Sequence, residues 1–114
     1  MTWEEKTKKI KFTVAAVGEI PIGASKSFPY GVTGGIAYND GGVIKAYMNS
    51  CTHAGGKVSL QRGIFECSRH FAEFDPKTGT RLSGQAPEGS RLTPLEVIEE
   101  EGKYVVYMEL KNEF

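Results

Sequence analysis

Every cysteine and histidine of this chain falls within one short stretch: Cys51, His53, Cys67 and His70. The first pair is separated by one residue, the second by two, and thirteen residues lie between the pairs. The pattern C-x-H…C-x-x-H sets one thiol and one imidazole on each of two short loops. Brought together, two such loops make a site of two sulfurs and two nitrogens. That donor set suits zinc, or an iron–sulfur cluster in which two histidines replace two cysteines on one iron. Zinc modules usually pair like with like, C-x₂₋₄-C with H-x₃₋₅-H, whereas each half here mixes the two. The bland alternative, two buried cysteines and two surface histidines, leaves the concentration of all four to accident.

The rest of the composition narrows the class. The chain has 114 residues, enough for one domain, and 39% of them are hydrophobic, as in an ordinary globular protein. Fourteen basic residues cancel fourteen acidic ones. There is then no overall field to attract nucleic acid or an anionic membrane. The charged start Met1–Lys9 lacks the apolar run of a signal peptide, and the longest purely apolar run, Val14–Val17, is far too short to span a bilayer. These features imply a cytoplasmic protein with no membrane anchor. In that setting a metal use of the cysteines is favoured over a disulfide.

Periodicity points to an all-β fold. Lys9–Val14 alternates polar and apolar residues, as a half-buried strand does. Ser25–Tyr30 reads as a second strand that Pro29 confines to an edge or an end. Gly34–Tyr38 and Val43–Met48 form a hairpin across the turn Asn39-Asp40-Gly41-Gly42. Short strands over Gly63–Glu66 and Phe71–Phe74 flank the second ligand pair, and Asp75–Gly79 is a turn. Leu95–Ile98 and Tyr104–Met108 close the chain as a hairpin across Glu99–Gly102. No helical period, repeat or linker is present, so residues 1–114 make one domain. The two Cys–His pairs and their flanking strands fall at about residues 49–75, which makes this stretch the candidate metal- or cluster-binding subdomain.

The residues C-T-H-A-G-G followed by C-S-R-H-F-A-E-F-D-P-K-T-G resemble the two cluster-binding boxes of the Rieske 2Fe–2S family. The likeness runs from about Lys9 to Leu110 and implies an antiparallel β-sandwich with a loop-built cluster-binding subdomain. It implies that Cys51 and Cys67 bind one iron of a 2Fe–2S cluster and that His53 and His70 bind the other at an exposed edge. Gly84–Arg91, with Pro87, occupies the place of the family loop that covers the cluster, and an ordinary surface loop is an equal reading of the same residues. Compared with the family pattern, the spacing between the boxes is slightly short. Ser68-Arg69 replaces a common Pro-aromatic pair, and Phe71 replaces a common Gly. Arg69 and Lys57 are read as solvated side chains rather than docking charges.

High-potential relatives carry Ser two residues and Tyr four residues after the second ligand histidine, and a disulfide between the boxes. Here the positions are Ala72 and Phe74, and no further cysteine exists. The resemblance therefore implies a potential near the bottom of the range of about −150 to +300 mV. No Ser–His–Asp set and no phosphate-binding glycine loop appears. The expected protein is an electron carrier, not an enzyme, that passes single electrons from a reductase to an oxygenase or similar acceptor. A small subunit of a larger reductase and a zinc-binding structural module are the alternatives.

Overall fold

The computed structural model describes residues 7–49, 57–67, 72–83 and 91–111. The described residues form eleven strands and no helix. The alternating N-terminal segment is β1 (Thr7–Ala16), which extends the expected Lys9–Val14 at both ends. It joins β11 (Lys103–Lys111) and β10 (Ile98–Glu100) in an antiparallel sheet of order β1-β11-β10. The second sheet, of order β2-β3-β4-β9, contains β2 (Ser25–Phe28), β3 (Gly35–Asp40), β4 (Val43–Met48) and β9 (Pro94–Leu95). The third, smaller sheet runs in sequence order through β5 (Val58–Gln61), β6 (Ile64–Cys67), β7 (Glu73–Phe74) and β8 (Arg81–Ser83).

The second sheet is covered on both faces, because successive side chains of a strand point opposite ways. Ile36, Tyr38 and Tyr47 face one core, shared with Val58, Phe65, Cys67, Ala72 and Phe74 of the small sheet and with Leu92. Ala37 and Ala46, paired across β3 and β4, face the other. That second core is completed by Val14, Ala15, Ile20, Phe28, Tyr30 and Val106. Large residues thus stand over the small sheet, and alanines let the β1–β11 sheet approach. Double coverage explains why β3 is buried from Gly35 through Asn39, with no exposed alternate.

One turn and one strand differ from the sequence expectation. The β3–β4 hairpin turns on Gly41-Gly42 alone, both with positive φ (61° and 106°). Asn39 stays in the strand, and its side-chain oxygen accepts from the Gly42 N–H at 2.7 Å. A two-residue hairpin with positive φ at both centres matches the strand twist, so glycine there lets pairing continue to Asp40↔Val43. The expected Leu95–Ile98 strand is divided. Pro94 and Leu95 pair with β4, and Ile98 onward pairs with β11. Leu95 and Val97, two residues apart, both pack against the second core, so the chain remains extended while it changes sheets. Pro94 has no N–H to give a ladder, and β9 is an edge strand.

Candidate metal centre

β4 carries the chain to Asn49 and into the first Cys–His pair. β6 ends on Cys67 and leads into the second. Cys51, His53 and His70 lie outside the described residues, as do Arg69, Phe71 and Pro87. Cys67 is described, and its side chain is completely buried. What the fold does establish is how the segments holding the other three candidate ligands are rooted.

Asn49 donates its backbone N–H to the Gly34 carbonyl at 2.9 Å, and its side-chain oxygen accepts from the Val58 N–H at 2.7 Å. That second bond closes the base of segment 50–57. Val58 is in turn the β-ladder partner of Cys67. Cys67 N–H donates to the Ala72 carbonyl at 2.8 Å, which closes the base of segment 68–71. The two halves of the motif therefore start from a single strand pair. A third segment, 84–90, leaves from the same end of the small sheet, because Ser83 pairs with Glu73 next to Ala72. Ser83 Oγ also bonds Glu73 Oε1 at 2.8 Å. Lys57, exposed as expected, donates from Nζ to the Thr33 carbonyl and ties the return of the first segment to the loop before β3.

Behind these roots the packing is aromatic. Phe65 meets the edges of both Tyr38 and Tyr47, each at 6.1 Å between centroids and 83° between planes. Such edge-to-face pairs add about 0.5–1.5 kcal/mol each beyond area burial. The Tyr47 hydroxyl donates to the Pro76 carbonyl at 3.0 Å. The ring packs on Gly79, whose positive φ (80°) and missing Cβ leave room for it. Burial, then the charge of Asp75, pushes the Tyr47 phenol up to about 12, and Arg91 opposes the shift. Ala72 and Phe74 are fully buried in this core and bring no hydroxyl to it.

Sequence reasoning overlooked β5, β8 and Asn49. The alternation of Val58-Ser59-Leu60-Gln61 was a usable sign of β5. Three residues are too few to mark β8. Nothing in the sequence separates Asn49 from an ordinary turn asparagine.

Among the described residues no three His, Cys, Asp or Glu side chains converge. The donor chemistry nonetheless fits a sulfur- and nitrogen-ligated centre. A thiol withdrawn from water ends β6, the chain before its ladder partner Val58 contains Cys51 and His53, and the chain after Cys67 contains His70. Residues 10–98 match the Rieske [2Fe-2S] domain family. Among solved structures, the chain is 26% identical to a chain in the complex of reduced oxygenase and oxidized ferredoxin in carbazole 1,9a-dioxygenase, with a TM-score of 0.67, covering 85% of this chain and 92% of that one. It is 24% identical to the Sphingomonas yanoikuyae B1 ferredoxin (TM-score 0.66, covering 85% and 97%). It is 22% identical to the ferredoxin of carbazole 1,9a-dioxygenase from Nocardioides aromaticivorans IC177 (TM-score 0.61, covering 84% and 95%). No curated protein sequence gives a significant match. The chain, all-β in its described residues, belongs to the Rieske [2Fe-2S] domain family, whose cofactor is a Rieske 2Fe–2S cluster.

Proposed function

We propose that this protein is a low-potential Rieske ferredoxin that carries electrons from a reductase to an oxygenase or a similar acceptor, with Cys51, His53, Cys67 and His70 as the cluster ligands. The observation that carries the ligand assignment is the rooting of both boxes on the Val58–Cys67 pair, with Cys67 fully buried. When bound, the cluster supplies one-electron chemistry, and its two neutral imidazoles raise the potential above that of an all-cysteine cluster. The residues around it do the rest. Cys67 is a thiolate donor kept from water. Asn49, Val58 and Ala72 hold the loop bases, and the core around Phe65 keeps water from the inner side.

The partner assignment draws on the likeness to a chain of an oxygenase–ferredoxin complex, of which this chain covers 92%. It covers only about a third of the quaternary ammonium Rieske monooxygenase CntA, with a TM-score of 0.70 at 18% identity. The low-potential assignment draws on Ala72 and Phe74. Neither side chain offers a donor that would stabilise the added electron.

The test is the visible and electron paramagnetic resonance spectrum of the purified protein, with iron, sulfide and zinc assays. Two irons and two sulfides per chain are expected, and a colourless protein with one zinc overturns the reading. Cys67→Ser should abolish cluster retention, and His70→Cys should lower the potential while keeping colour. An unchanged potential in the latter rejects His70 as a ligand. Reduction by a purified oxygenase-system reductase and reoxidation by its oxygenase, followed by stopped flow, test the partner assignment. Failure of both exchanges overturns it.

A further inference from the structure

At the end of the small sheet opposite the ligand-bearing loops, the turn between β7 and β8 touches β4 through Tyr47 and Lys45 without closing the space beside it. An open cleft of about 350 Å³ lies there. Its rim carries three cations, Lys45, Lys77 and Arg91, and its floor is built partly from Tyr47, Pro94 and Leu95. Among the described residues no carboxylate lines it. In a chain whose charges balance overall, this is a local excess of positive charge.

The cations are not consumed by the fold. Lys45 Nζ reaches the Lys77 carbonyl and Arg91 Nη2 the Thr78 carbonyl, each at 3.4 Å. Each contact uses one donor of a group that has three or five. Among the described residues none of the three cations forms an ion pair, since the pairs present join Lys11 to Glu100 and Lys26 to Glu19. The neighbouring acid, Asp75, turns Oδ1 onto the Lys77 backbone N–H at 2.9 Å. The floor, by contrast, offers an anion almost nothing. Pro94 has no N–H, and the Tyr47 hydroxyl is engaged with the Pro76 carbonyl.

We propose that this cleft docks an acidic segment of a protein partner, with its carboxylates on Lys45, Lys77 and Arg91 and an apolar side chain on the floor between them. An apolar centre inside a charged rim is the anatomy of a protein interface, and the rim charges set encounter rate and selectivity. A bare phosphate would use the rim and leave the floor wet. Because the cleft lies across the sheet from the cluster loops, a partner seated here leaves the cluster end uncovered. The inference does not depend on which proteins exchange electrons with the cluster.

The experiment is a ¹H–¹⁵N titration of the cluster-loaded protein with the peptide Glu-Glu-Leu-Glu-Glu-Leu, beside inorganic phosphate at matched ionic strength. Amide shifts are expected at Lys45, Tyr47, Thr78 and Leu95, saturating with the peptide and weakening as salt rises. Lys45→Gln, Lys77→Gln and Arg91→Gln should each weaken binding about threefold, in the range of exposed ion pairs, and Lys45→Arg should restore it. The visible spectrum confirms that each variant is folded and loaded. Shifts confined to other faces, or binding indifferent to all three substitutions, overturn the proposal. Phosphate that reproduces the shifts and displaces the peptide also overturns it, in favour of a small-anion site.

Discussion

Two buried asparagines sit at opposite ends of the β3–β4 hairpin and show how differently its ends are used. At the turn end, Asn39 Nδ2 donates to the Ile20 carbonyl at 2.7 Å, and Oδ1 accepts from Gly42 three residues away. At the open end, Asn49 Oδ1 accepts from Val58, the ladder partner of Cys67 in another sheet. The first asparagine closes a turn. The second joins two sheets at the point where the segments with the candidate ligands begin. The two cores repeat the contrast: the one against β1 and β11 includes the paired alanines Ala37 and Ala46, while the other holds Cys67 together with the edge-to-face rings of Tyr38, Tyr47 and Phe65. A bond or ring of ordinary strength acquires a functional role from what its partner is attached to.

The largest test of this contrast removes one side chain from each core. Phe65→Ala, a fully buried ring touching two tyrosines, should cost about 3–5 kcal/mol in chemical denaturation and reduce cluster loading as well. Val106→Ala should cost about 2 kcal/mol and leave iron content per folded molecule unchanged. Equal effects on iron content would erase the distinction between the cores.

A finer test uses the asparagines themselves. Each alanine variant leaves a buried backbone partner without its bond and should cost about 1–3 kcal/mol. Only Asn49→Ala should accelerate iron release to a chelator, measured by loss of visible absorbance. Asn39→Ala releasing iron as fast would show that general loosening, and not the Val58–Cys67 connection, governs retention.

A smaller effect comes from polarity inside the aromatic core. Phe74→Tyr adds a hydroxyl to the ring packed in the core with Cys67. The potential should rise by about 40 mV for each kcal/mol by which the new bond favours the reduced state. Val106→Ile, in the other core, should leave voltammetry unmoved. A fall in potential for Phe74→Tyr would contradict the assigned role of this position.

The smallest effect is at alkaline pH. Tyr47 has its folded-state value raised to about 12, so the neutral phenol is the form the fold favours. The stability this provides is complete below the unfolded value near 10 and is lost as pH climbs towards 12. Denaturation midpoints should fall across that window, less steeply in Tyr47→Phe. An unchanged slope would place the ionisation elsewhere.

Much of the frame was legible because the signals were local. The alternation at Lys9–Val14 and the glycines at 41 and 42 are decided by residues a few positions apart, so periodicity and turn chemistry read them. The strand break at Glu96-Val97 was not legible, because changing sheets leaves the extended backbone and its alternation intact. Strand β8 was hidden because a three-residue strand exists only through its pairing with β7.

For the centre, the sequence by itself supplied the candidate donors, two thiols and two imidazoles in mixed pairs, and with them the Rieske resemblance that the family match bears out. Residue type and spacing are chemical facts that need no fold. Tertiary structure alone decided that the two boxes share one root. Asn49, Val58, Cys67 and Ala72 are joined by hydrogen bonds between separate segments, and only closure of the sheets brings those segments together. It also decided that the alanine face of the hairpin meets β1 and β11 while the aromatic face meets Cys67. Alternation makes two faces available, but which sheet each one covers depends on how the whole chain packs.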